Sequence, residues 1–65
     1  MKKKELKKLA EEIATYERIV QTTQDKNERA EAQNKIIRLS EKVYNMEDML
    51  ALDVLLQDIL AKNNI

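Results

Sequence analysis

A chain of 65 residues with zero formal net charge, no Cys and no His is one small domain that neither disulfides nor a structural zinc can staple. Its stability must therefore come from helix packing and subunit association. Apolar residues at 43% and charged residues at 37% exclude a disordered tail and match long helices and coiled coils. The absence of Gly and Pro removes the residues that tight hairpins and phosphate-binding loops require, so the expected fold is all-α.

The N-terminal MKKKELKKLAEE is basic, but Glu11, Glu12, Glu17 and Arg18 prevent a continuous apolar stretch after the lysines, so it does not read as a signal peptide. No run reaches the ~18 apolar residues of a transmembrane helix, and a soluble, cytoplasmic protein without membrane contact is expected. Leu6, Leu9, Ile13, Tyr16 and Val20 alternate at spacings of three and four, the rhythm that places one seam on one helix face, and Ala10 and Ile19 widen it. This predicts helix 1 from about Lys3 to Thr22, with Lys2, Lys3 and Lys4 unfavourably placed at the positive end of the helix dipole. The turn is expected at about 23–25, where Thr22, Thr23 and Gln24 break the rhythm and Asp25 with Glu28 reads as a capping box.

From Lys26 a second seam emerges as Ala32, Ile36, Leu39, Val43, Met46 and Leu50, with Ile37 and Tyr44 beside it. Continuing the frame would put Asp53 and Gln57 in the seam, so the apolar face shifts after Met46 to Met49, Leu52, Leu56 and Ile59. Neither Gly nor Pro enforces a stop, which favours one long, bent helix 2 over about 26–61. The alternative is a break near 45–48, with Asn45 and Asp48 capping a third helix. The long helix would span ~54 Å against ~30 Å for helix 1. The fold class is thus an antiparallel, coiled-coil-like helical hairpin with a longer C-terminal arm. That arm would pair with the same segment of a second chain in a homodimeric, four-helix bundle; a fold-back onto the hairpin is the alternative. Charge fits the antiparallel arrangement, because five lysines near the start face Glu41, Glu47, Asp48, Asp53 and Asp58 across it.

The candidate site is an interface: Met46, Met49, Leu50, Leu52, Leu55, Leu56, Ile59 and Leu60, with Leu52, Leu55, Leu56, Ile59 and Leu60 as the dimer core. The expected function is a non-enzymatic protein-interaction module whose partner is itself, or another protein docked on the C-terminal arm. No catalytic, cofactor or metal residues are assigned. His and Cys, the common bases and nucleophiles, are missing, and the adjacent acids Glu11–Glu12 and Glu47–Asp48 point ~100° apart on a helix. Lys2, Lys3, Lys4, Lys7 and Lys8 give a minor nucleic-acid reading, against which stand the zero net charge and the two aromatic residues.

Three partial resemblances supply the alternatives. As a helical hairpin the chain resembles the small hairpin protein of the large ribosomal subunit, a strongly basic family, whereas this chain is neutral. Ile36 to Asn45, IIRLSEKVYN, is similar to the Ser-Gln-Glu-Leu-Asp segment of small helical-hairpin phosphatases. Ser40 and Glu41 match its start, but Tyr44 stands where its Asp belongs. Glu28 and Glu31 resemble the first carboxylate pair of all-α nucleotide pyrophosphohydrolases, which implies a Mg²⁺-dependent phosphohydrolase using Glu28, Glu31 and Asp53. Leu50 replaces the acid one turn before Asp53.

Overall fold

The computed structural model describes residues 1–63, and within them the chain forms three α-helices: α1 (Lys3–Thr22), α2 (Lys26–Ser40) and α3 (Met46–Asn63). Helix α1 begins without a side-chain cap on Lys2 and ends where the Thr23 N–H donates to the Ile19 carbonyl at 2.8 Å. The connection to α2 is held by its own polar groups. Asp25 N–H donates to Thr23 Oγ1 at 3.1 Å, Asp25 Oδ1 accepts from the Asn27 N–H at 2.9 Å, and Arg29 Nη2 donates to the Thr23 carbonyl at 3.0 Å. Asp25 thus caps α2 as its residue type predicts, but its own N–H is bound by Thr23 where a reciprocal box would use Glu28.

The long second helix expected over 26–61 is corrected. Helix α2 stops at Ser40, and residues 41–45 turn the chain before α3 starts. The stop has local causes that carry no Gly or Pro signature. Ser40 Oγ donates back to the Ile37 carbonyl at 2.8 Å, and the Lys42 and Val43 N–H groups reach carbonyls three residues back, those of Leu39 and Ser40. The restart is capped reciprocally: the Asp48 N–H donates to Asn45 Oδ1 at 2.8 Å, and Asn45 Nδ2 donates to Asp48 Oδ2 at 2.9 Å. No residue takes a positive φ among those described.

This bend returns α3 to the rest of the chain, so the projecting arm is replaced by the fold-back. The α1 backbone packs against both α2 and α3, whereas between the described residues of α2 and α3 there is no such backbone approach. One helix serving two neighbours needs a wide apolar face, and α1 has one: Leu6, Leu9, Ala10, Ile13 and Ala14 are all buried. Val43, from the turn, and Leu52, from α3, complete the core, with Ile36, Leu39, Ala51, Leu55, Leu56 and Ile59 partly buried against it. Leu6, Leu9, Ile13, Val43 and Leu52 each keep a few per cent of their surface exposed.

Candidate functional site

Helix α3 is apolar on more than one face, and the fold uses only one of them. At ~100° per residue, Leu52, Leu55 and Ile59 share an arc with Ala51 and Leu56 at its flanks, and this arc lies against α1. The opposite arc carries Met46, Leu50 and Val54 at successive spacings of four, and these are 71%, 61% and 68% exposed. Met49, also exposed, stands at one border of this stripe, beside the depression where Ile13, Ile36, Val43, Leu52 and Leu56 meet.

The structure splits the eight interface residues proposed from sequence. Met46, Met49 and Leu50 face outward; Leu52 is 8% exposed, and Leu55, Leu56, Ile59 and Leu60 are partly buried. Sequence reasoning leaves Val54 out of the interface, because the frame shift favours the Leu52–Leu56–Ile59 arc. Its spacing from Met46 and Leu50 is the signal that could have found it. Tyr44, just before α3, is 87% exposed and stands outside the core, where packing beside a seam was expected.

Carboxylates border the stripe. Glu47 and Asp58 run along it on one side; Asp53 lies on the other and accepts from Gln57 Nε2 at 3.3 Å. The expected pairing of the lysine cluster with these acids is corrected. Among the described residues the ion pairs are Lys62 with Asp58 at 3.2 Å and the N-terminal ammonium of Met1 with Asp48 at 3.1 Å. Lys2, Lys3, Lys4, Lys7 and Lys8 are all exposed, and none of them pairs with an acid among the described residues. The Asp48 carboxyl is held below the ordinary carboxylate value, first by the bond from the N-terminal ammonium; desolvation opposes this, and the bond from Asn45 adds to the lowering.

The acids of the phosphohydrolase alternative do not converge: Glu28 and Glu31 are exposed on α2, Asp53 is exposed on α3, and among the described residues no group of three metal-ligating side chains forms. Ser40, the start of the phosphatase-like segment, spends its hydroxyl on the Ile37 carbonyl. Among the described residues no helix is long and apolar enough to cross a membrane. No protein-family model matches the chain, and neither a curated protein nor a solved structure matches it.

Proposed function

We propose that the chain is a non-enzymatic, cytoplasmic protein-interaction module: a coiled-coil-like helical hairpin with a third helix, which self-associates into a homodimeric bundle and acts by occluding or bridging its partners. The observation that carries this reading is the outward stripe of Met46, Leu50 and Val54. Single exposed apolar side chains are ordinary on a protein surface, but a contiguous row on one helix face marks an interaction surface. Full burial of side chains of this size is worth ~1.5–3 kcal/mol each before the entropy of association is deducted, so a face of this kind drives pairing only as a set. Two copies related by a two-fold axis bury the same stripe against itself and leave Glu47 and Asp58 at the rim in water.

A second reading is favoured by Met46 and Met49, whose flexible thioether chains adapt to varied surfaces: the same face docks into a groove of another protein. It predicts dimers that are weak and exchange rapidly. Light scattering after size exclusion, over a concentration series, tests the first reading. The expected result is a mass of twice the chain, halved by Leu50→Glu with helicity retained. A mass of one chain at every concentration overturns it.

A further inference from the structure

We propose that the two copies associate by exchanging α3: residues 41–45 straighten, α2 and α3 become one helix, and each α3 packs on α1 of the other copy. This rests on the self-association reading and gives it a geometry other than stripe-on-stripe pairing.

Three observations point to exchange. Among the described residues helix α3 takes its backbone packing from α1 alone, and a second copy supplies the same α1 surface of Leu6, Leu9, Ala10 and Ile13. Exchange therefore preserves the contacts that hold the folded chain together. The backbone hydrogen bonds of the bend are local, namely the two short-range turns at Lys42 and Val43 and the Asn45–Asp48 cap; beyond them it is tied down by the burial of Val43 and the ion pair of Asp48 with the N-terminal ammonium. No residue in it is Gly or Pro and none has a positive φ, so each can enter a helix.

The third observation is the seam itself. Ala32, Ile36, Leu39, Val43, Met46 and Leu50 keep one heptad frame straight through the bend, yet in the folded chain Val43 is buried while Met46 and Leu50 stand in water. Straightening returns Met46 and Leu50 to the face that Ile36, Leu39 and Val43 present. On such a helix the Leu52–Leu55–Ile59 arc lies roughly opposite that face. A straight α2–α3 helix thus has two apolar seams on opposite sides and needs two α1 helices to cover them. One chain holds one α1; the second must come from the other copy.

Two measurements on the full chain test the exchange. Tyr44 is exposed and non-helical, and among the described residues its N–H donates no backbone hydrogen bond, so Tyr44→Pro removes no backbone hydrogen bond from the bent form. In a straight helix the same Pro removes a bond and clashes with the turn before it. The expected result is a dimeric wild type and a Tyr44→Pro chain of half that mass with unchanged helicity. A Tyr44→Pro chain that still dimerises overturns exchange but leaves self-association standing, whereas a wild type that is monomeric throughout overturns both. The second measurement does not depend on the proline variant folding. The native chain has no Cys, so Lys26→Cys with Lys62→Cys takes spin labels cleanly, and the labelled chain is diluted into unlabelled dimer. Exchange separates the labelled backbones by ~54 Å, at ~1.5 Å per residue. The folded chain is 34 Å along its longest axis, and a label separation that fits within it, in a dimer, overturns the proposal.

Discussion

Asn45 is the residue on which the third helix begins, because its side chain both accepts from the Asp48 N–H and donates to the Asp48 carboxylate. Removing such a cap costs ~0.5–2 kcal/mol. Asn45→Ala should therefore lower the melting temperature, by ~4–8 °C for each 1 kcal/mol in a domain of this size, and an unchanged melt would show that the cap contributes nothing. Asp48 adds a pH dependence of definite sign. Its folded-state pKa is lowered, by the N-terminal ammonium first and Asn45 second, so its contribution is complete above the ordinary carboxylate value of ~3.9 and is lost as pH falls through the lower folded value. Thermal melts taken from neutral to acid should show a stability loss on that side that is shallower in Asp48→Asn. Parallel acid limbs for the two chains would reject the assignment.

Helix α3 presents two apolar faces with different duties, and substitutions on them should separate cleanly. Leu52→Ala opens a gap in the small core cluster it shares with Leu6, Leu9 and Ile13, at a cost near the lower end of the ~2–5 kcal/mol range because Leu52 keeps some exposure. Leu50→Ala, on the exposed face, should stay within about 0.5 kcal/mol in dilute solution and lower only the affinity between chains. Denaturant unfolding at low concentration reads the first effect and light scattering the second; equal stability losses from both would contradict the division of faces. This division also marks how far the sequence could be read. The all-helical character and the Leu6–Leu9–Ile13 seam are legible because spacing alone dictates them, and the change of frame after Met46 is legible too. What the change means is not, since a rotated contact, a bend and a break all produce it. The bend goes with tertiary packing: α1 packs against both α2 and α3, and its buried face reaches from Leu6 to Ala14. Ala14 carries almost no hydrophobic signal, and Ser40 and Asn45 act through hydrogen bonds that no periodicity displays.

At the scale of the whole molecule, the buried apolar set among the described residues is short: four residues larger than alanine from the helices, Leu6, Leu9, Ile13 and Leu52, with Val43 from the turn. A domain of this length buries a smaller share of its surface than a larger one and is marginal alone. An assembly that covers Met46 and Leu50 changes that balance through mass action, because whatever binds only folded chains stabilises them. At a partner concentration about 100 times the dissociation constant the gain is ~2.7 kcal/mol, large beside the stability of a small core. The melting temperature of the wild-type chain should therefore rise with protein concentration. Leu50→Glu, with a carboxylate in the shared face, should melt at one temperature across the same series. Should the wild-type melt prove independent of concentration, the outward stripe is not buried by a second copy at those concentrations, and the self-association reading fails there.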